Sequence, residues 1–261
     1  VFLGFTAVGT TVEFTDHNGN VAVAGLDLSG FTDITLLEVE NDIIQGTNVE
    51  QTLGHLVDTT TVEIVDTITV IDAAHRDIVV DVDTTVDGNL LFENLNSDIE
   101  VTEVTLILQG GSEVDGNIDA TDAQFNPGAA GADKAGEVGF QKFTIISGGE
   151  TANTITGSIL ATSNTNLDVE INATQALMVG AVEFTSETDD DQTAVLTINT
   201  DSAVTIHSID SNNGANVDAV TVTHTGTGAL TLGINSANVD SDDALTITGS
   251  AEATTTLVID G

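Results

Sequence analysis

Carboxylates gather at short turns in this chain, beside stretches that alternate between apolar and polar residues. The densest clusters are NVDSDD at 238–243, which precedes the alternating run ALTIT, and ETDDDQ at 187–192. Adjacent carboxylates repel one another, and a turn needs only one of them, so a cation is expected to neutralise these clusters. Ca²⁺ takes about six to eight oxygen ligands from carboxylates, amides and carbonyls. We therefore predict calcium as the cofactor.

Other turns offer the same oxygen ligands at lower density. TDHNGN at 15–20 resembles the start of a calcium-binding loop without its distal Glu. VDGN occurs at 86–89 and again at 114–117. For any single cluster an ordinary turn is the alternative, because Asp, Asn and Gly all favour turns. The predicted metal ligands are Asp16, Asn18, Asn20, Asp87, Asp115, Asp119, Asp189, Asp190, Asp191, Asp210, Asp218, Asp240, Asp242 and Asp243.

Residue types that carry catalysis are sparse and dispersed. The five His lie far apart without the H-E-x-x-H spacing of a zinc site, and we predict that His207 and His224 face solvent from repeat strands. Phosphate-binding glycine loops and nucleophile elbows are absent. Carboxylate pairs hydrolyse glycosides in many enzymes, but sugar-cleaving sites usually add aromatic platforms, and this chain has no Trp or Tyr. The sequence therefore predicts a protein that is not an enzyme.

Alternation with a period of two residues runs through the chain, and helical signals are nearly missing. Examples are TTVEIVDTITVID at 60–72, DIEVTEVTLILQ at 98–109 and TAVLTINT at 193–200. Thr, Val and Ile dominate these runs, and they favour the pleated, half-buried surface of a strand. An all-β fold is predicted.

The C-terminal half also repeats itself, in the phrases LTINTDSAVTIHSID at 196–210, VTVTHTGTGALTLGIN at 220–235 and LTITGSAEATTTLVID at 245–260. A unit this short exposes an apolar edge that only a stacked neighbour can bury, which favours a parallel β-solenoid in at least this half. The predicted interior columns are Leu196, Val220 and Leu245 in one, and Ile198, Val222 and Ile247 in the next. Antiparallel β-sandwich domains would give similar spacing and are the alternative.

The single proline suggests a division of the chain. Pro127 lies in NPGAAGADKAGEVG, whose Gly and Ala content is typical of a loop. We predict an N-terminal β-rich region at 1–125, a loop or insertion at 126–139 and a C-terminal β-repeat region at 140–261.

The charge of the chain limits its partners. The formal net charge is −39, with only three basic residues, Arg76, Lys134 and Lys142. Nucleic acid and anionic membrane surfaces are therefore excluded as partners, and no apolar stretch is long enough for membrane insertion. The acidity has a second interpretation, diffuse solvation in salty surroundings, where repulsion is screened. Without Cys, neither a disulfide framework nor a thiolate metal site can form.

The phrases LTITGS, VTVTHTGTGALTL and LVIDG are similar to those of bacterial surface-layer proteins of the calcium-dependent, type I-secreted kind. They also resemble the Thr-, Val- and Asp-rich stalks of large RTX-type adhesins. Of the nonapeptide G-G-x-G-x-D-x-U-x of RTX repeats, only Gly110, Gly111 and Asp115 match, in GGSEVDGNID at 110–119. The resemblance implies that calcium orders β-rich repeats outside the cell, and that surface-layer members assemble into lattices.

Together these features predict a structural extracellular protein at the cell surface, a self-assembling subunit of a surface layer or filament that calcium orders. Its main partner would be itself, as a homo-oligomer, lattice or filament. An alternative is a calcium-dependent adhesin segment that binds a cell-surface glycan or another cell through its loops. A polysaccharide-active β-helix enzyme is the third and weakest alternative.

Overall fold

The computed structural model describes residues 4–8, 11–15, 36–39, 42–45, 48–53, 61–64, 68–71, 75–93, 103–119, 142–162, 167–185, 192–210, 217–235 and 244–260. Side chains are described over most of these residues from Ile78 onward. The predicted loop at 126–139 lies outside these ranges, so the predicted division of the chain stays a prediction. The strands Glu103–Gln109, before that loop, and Phe143–Gly148, after it, are neighbours in one sheet.

All regular elements in these ranges are β-strands. None of the described residues forms a helix long and apolar enough to cross a membrane. The strands are β1 (Gly4–Val8), β2 (Thr11–Thr15), β3 (Leu36–Val39), β4 (Asp42–Gln45), β5 (Asn48–Leu53), β6 (Thr61–Ile64), β7 (Ile68–Ile71), β8 (His75–Val80), β9 (Thr84–Val86), β10 (Leu90–Glu93), β11 (Glu103–Gln109), β12 (Glu113–Val114), β13 (Ile118–Asp119), β14 (Phe143–Gly148), β15 (Asn153–Thr162), β16 (Leu167–Ala173), β17 (Leu177–Thr185), β18 (Gln192–Thr200), β19 (Val204–Asp210), β20 (Val217–Thr225), β21 (Leu230–Asn235), β22 (Ala244–Thr248) and β23 (Thr255–Asp260).

The strands form two sheets. Sheet 1 has fifteen strands, and sheet 2 has eight in the order β22-β20-β18-β16-β14-β11-β8-β5. Among the described pairs only β1 and β2 run antiparallel; each other pair joins parallel strands of successive coils, such as β16 with β18 and β17 with β19. The chain is therefore a parallel β-solenoid, as the repeats predicted, and the antiparallel β-sandwich alternative is wrong for this region.

Two arms of sheet 1 meet at β15. Its first half pairs with β12 and its second half with β13. Before β15, a coil such as β9, β10 and β11 therefore has three strands, with a corner between the first two. From β15 onward the corner survives only as an irregularity in the register between Ile155 and Ser158, and each coil has one strand in each sheet.

Inward side chains of both sheets form one aliphatic core, in which like residues stack coil upon coil. One column of sheet 2 consists of Ile78, Leu106, Ile145, Ile171 and Ile198, all with no exposed surface. Alternation puts every second residue of a strand on this inner face. Full burial of each such side chain is worth about 1.5–3 kcal/mol, so the stacked columns are the main source of stability.

The predicted columns of the C-terminal repeats are correct in part. The observed columns are Ala194, Val220 and Leu245 in one, and Leu196, Val222 and Ile247 in the next. The prediction therefore paired the last two strands correctly but placed β18 wrongly by two residues. Ile198 instead stacks on His224. A shift of two residues preserves which side chains face inward, so the hydrophobic pattern alone cannot detect it.

Candidate functional site

The two VDGN copies form one corner of the solenoid. Val86 and Val114 pair in register, so the turns that follow them lie one above the other. The backbone N–H of Asn117 donates to Asn89 Oδ1 at 2.8 Å. In the next coil the N–H of Ser158 donates to Asn117 Oδ1 at 2.9 Å. Each Asn side chain thus accepts a hydrogen bond from the coil above, and the repeated motif is a stacked corner.

The glycine of the motif allows these coils to approach. A Cβ on Gly116 would lie 2.2 Å from the carbonyl oxygen of Gly88, and one on Gly157 would lie 2.3 Å from that of Gly116. Both distances are far below van der Waals contact. The glycines are therefore required by the backbone contact between successive corners.

Carboxylates are concentrated on the outside of this corner. Asp87 and Asp115 are exposed and follow the paired residues Val86 and Val114. Thr156, in the next coil, donates its hydroxyl to Asp115 Oδ1 at 2.7 Å. Glu113 lies on the same outward face. The pKa of Glu113 is raised, first by burial and then by the charge of Asp115, a hydrogen bond with Asp115 and the charge of Asp87. A hydrogen bond with Thr156 acts in the opposite direction.

This corner brings together only two of the predicted calcium ligands, Asp87 and Asp115. In the part of the chain that the structure describes, no three His, Cys, Asp or Glu side chains are grouped so that they could hold a metal ion. Calcium binding at Asp87 and Asp115 therefore stays a prediction. The described residues place negative charges one above the other at this corner, but they do not form a set of ligands that would enclose a metal ion.

The remaining predicted ligands are dispersed or lie elsewhere. Asp119 ends β13, Asp210 ends β19 beside Glu183 of the preceding coil, and Asp218 lies within β20. These three occupy strands, not turns. Outside the described residues lie Asp16, Asn18, Asn20, Asp189, Asp190, Asp191, Asp240, Asp242 and Asp243.

Removing the charge of Glu113 is expected to stabilise the protein at neutral pH. Because the pKa of Glu113 is raised in the folded state, the ionised side chain lowers the stability of the protein. This cost is absent below the usual pKa near 4.5 and grows as the pH rises through the raised pKa. Because the side chain is only partly buried and water screens its charge, Glu113→Gln should gain only about 0.2–1 kcal/mol at pH 7. Thermal melts at pH 7 and pH 4 measure the gain and its loss.

The matched control is Glu150→Gln, an exposed position in the turn before β15 that removes the same formal charge. An equal gain in both variants would show that net charge, not the corner, is responsible. A loss of stability in Glu113→Gln would contradict the claim that ionised Glu113 destabilises the folded protein.

A second corner, between sheet 2 and sheet 1, contains buried polar side chains that the sequence patterns did not reveal. Asn153 is 1% exposed. Its Nδ2 donates to Ser147 Oγ at 2.9 Å and to the carbonyl of Gly148 at 3.0 Å, and its Oδ1 accepts from the N–H of Ser112 at 3.1 Å. One side chain thereby joins the turns of two coils. Satisfied polar groups of this kind specify register at little cost.

His224 extends this buried polar set, so the prediction that it faces solvent is wrong. It is 1% exposed, at an inward position of β20. Its Nε2 lies 3.1 Å from the carbonyl oxygen of Gly228 and its Nδ1 lies 2.8 Å from Thr255 Oγ1. A carbonyl only accepts, so Nε2 carries a proton and donates to Gly228, and Nδ1 forms a hydrogen bond with the Thr255 hydroxyl. The imidazole thus attaches β20 to the last coil. His207 is exposed, as predicted.

The outer face of sheet 2 carries a polar network. Lys142 Nζ lies 2.5 Å from Glu170 Oε2, and Asn172 donates to Glu170 Oε1 at 2.8 Å. These hydrogen bonds, with that of Lys142 first, lower the pKa of Glu170. The network holds one of the three basic residues of the chain to the solenoid surface.

The last described coil is more exposed than the coils before it. β22 is the edge of sheet 2 and β23 is an edge of sheet 1. Leu257 and Ile259 stack on the buried Leu232 and Ile234, yet they are 45% and 67% exposed. These two residues continue interior columns, and among the described residues no strand lies beyond them.

Searches with the sequence and the structure found no match among protein-family models, curated proteins or solved structures.

Proposed function

We propose that the chain is a structural, extracellular protein of the cell surface, a self-assembling subunit of a surface layer or filament that calcium orders. The observation that carries the proposal is the parallel stacking of like coils, in which the strands of one coil pair with those of the coils on either side. A fold built by stacking is completed by further stacking, and unpaired strand edges are templates for another chain.

The composition of the solenoid also favours a structural role. Its inward columns are aliphatic and its corners are joined by hydrogen bonds between coils, as at Asn117 and Asn153. The described polar clusters are used to hold coils in register. We therefore assign the chain no catalytic residues.

Calcium has a place in this proposal at the edge where sheet 1 connects to sheet 2. The strand ends Thr162 and Thr185 pair in register, as do Glu183 and Asp210, and Asn235 and Asp260. The acidic segments 186–191 and 236–243 follow two of these strand ends. Connections of successive coils therefore leave from one edge, and this alignment supports calcium as the counter-ion between coils or between neighbouring molecules.

Calcium is expected to drive assembly and to raise the melting temperature of the pure protein. A net charge of −39 opposes contact between molecules. One calcium that binds only the folded state adds about 2.7 kcal/mol at one hundred times its Kd. Light scattering and thermal melting during a CaCl₂ titration, against NaCl at equal ionic strength, separate binding from screening. A protein that stays monomeric at every calcium concentration would contradict the proposal.

A further inference from the structure

Three ionisable side chains meet on the outer face of sheet 2, where β14 begins beside β16. Phe143 and Val169 pair in register, and both are buried. Lys142 and Asp168 directly precede them, so alternation places both on the outer face, next to each other across the two strands. Glu170 lies on the same face of β16, and Lys142 Nζ is 2.5 Å from its Oε2. One ammonium group therefore faces two carboxyl groups.

The two carboxyl groups are in different environments. Burial raises the pKa of Asp168, the charge of Lys142 opposes this rise and the charge of Glu170 adds to it. The pKa of Glu170 is lowered, first by its hydrogen bond with Lys142 and then by that with Asn172. Asp168 is therefore the more easily protonated of the two, and Glu170 is the one that stays ionised.

Glu170 is placed to act as a base towards the amine. Its Oε2 lies within hydrogen-bond distance of Lys142 Nζ, which is the geometry that proton transfer requires. Asn172 donates to the other oxygen, Oε1, at 2.8 Å and so holds the carboxylate in position. A lysine that transfers its proton becomes a neutral amine, which is a nucleophile towards a carboxyl carbon. The carboxyl group beside this amine is that of Asp168.

We propose that Lys142 and Asp168 form an amide bond between their side chains, with Glu170 as the base, so that a covalent link joins β14 to β16. The Nζ–Cγ bond forms, and the bond from Cγ to the hydroxyl of the protonated carboxyl group breaks. The ammonium group loses two protons through Glu170: one leaves with the hydroxyl as water, and the other passes to solvent. No oxidant or second reactant is required. Proximity drives the reaction, since effective molarities of well-oriented groups reach about 10⁵–10⁸ M.

A buried hydroxyl beside these groups favours the linked form. Thr144 pairs in register with Glu170 and is 6% exposed. Among the described residues, no group forms a hydrogen bond with its Oγ1. Once the Lys142 nitrogen belongs to the amide, Glu170 Oε2 can accept a hydrogen bond from the Thr144 hydroxyl. Because a buried hydroxyl without a partner is costly, this hydrogen bond stabilises the product.

The link suits a structural protein but does not depend on self-assembly or on calcium. The chain has no Cys, so disulfides cannot join its coils, and it has only two Lys, Lys134 and Lys142. An ion pair at a surface contributes little to stability. A covalent link between adjacent coils, in contrast, limits how far the unfolded chain can separate.

Trypsin digestion followed by mass spectrometry tests the bond, because the chain has only three tryptic sites, at Arg76, Lys134 and Lys142. Trypsin requires a charged side chain, so it does not cleave after a lysine whose amine forms an amide. The 26.8 kDa protein should be lighter than its sequence mass by one water. The denatured chain should yield 135–261 as a single fragment that lacks the same water. Release of 135–142 and 143–261 at their full sequence masses would overturn the inference.

Variants with unchanged circular dichroism assign the roles. Lys142→Arg keeps the positive charge beside Glu170 but cannot form the amide, and Asp168→Ala removes the carboxyl group, so both should have their full sequence masses. Lys134→Arg is the matched control and should still lose one water. Glu170→Gln should form the bond more slowly after refolding, and an equal rate would contradict its role as the base. A blocked Lys142 site in Asp168→Ala, or loss of ammonia in place of water, would exclude Asp168 as the partner. A lost water with Lys142 still cleaved would place the loss elsewhere and would also overturn the inference.

Discussion

Replacing Val222 with Asp is expected to destabilise the C-terminal coils by about 3–5 kcal/mol, the usual cost of an uncompensated buried charge. Val222 has no exposed surface and lies between Leu196 and Ile247 in an interior column. Urea unfolding followed by far-ultraviolet circular dichroism measures the loss, because the chain has no Trp or Tyr to serve as a fluorescent probe.

Thr221→Asp is the matched control, one residue away. Thr221 is partly exposed on the outer face, in register with Val195 and Thr246. Its replacement should change the unfolding free energy by no more than about 1 kcal/mol, the span of strand propensity. Equal damage from the two substitutions would refute the inward and outward assignment of β20.

Adding one methyl group at Gly116 is the second change with a large expected effect. The new Cβ would overlap the carbonyl of Gly88 at 2.2 Å and the backbone nitrogen of Asn89 at 2.8 Å. Neither neighbour is a flexible side chain, so the corner must separate. We expect Gly116→Ala to cost about 1–3 kcal/mol or more, the range of overpacked sites, and to lower the melting temperature accordingly.

Gly148→Ala provides the comparison. At the end of β14, a Cβ would find its nearest neighbours, Leu108 O and Thr174 Oγ1, at 3.9 Å, which is ordinary contact. The substitution should be neutral or should stabilise by about 0.4–1 kcal/mol through the unfolded chain. If Gly116→Ala were equally harmless, the stacked corner would not have the described backbone contact.

Much of the fold could be predicted from the sequence because two signals agree. The period of two residues specifies strands, and the recurrence of LTI-like phrases specifies stacking, so together they predicted a solenoid. The register of β18 could not be predicted, since Leu196 and Ile198 are both aliphatic and both face inward. What places Leu196 beside Val222 is the pairing of the whole strand, from Gln192 onward.

The positions of the buried polar residues were harder to predict from the sequence than the strands were. Alternation from Val220 and Val222 places His224 on the inner face, and only its polar side chain favoured the outer face. Its partners, Gly228 and Thr255, cannot be identified until the last coil is in place. VDGN has the composition of a cation-binding turn and also that of a tight corner. Composition cannot separate these roles, whereas the stacking of Asn89 on Asn117 shows the corner directly.

The parallel stacking of the coils has a consequence for how long such a protein can be. Most strands pair with a strand one coil away, roughly 25–28 residues along the chain, which is within the range of known solenoid repeats. Loop-closure entropy depends on that separation and not on the total length. Adding coils therefore leaves the entropy cost of each new contact unchanged, and the mean sequence separation of contacts stays constant as the rod grows. A rod of this design can vary in reach through duplication or loss of coils without becoming slower to fold per coil.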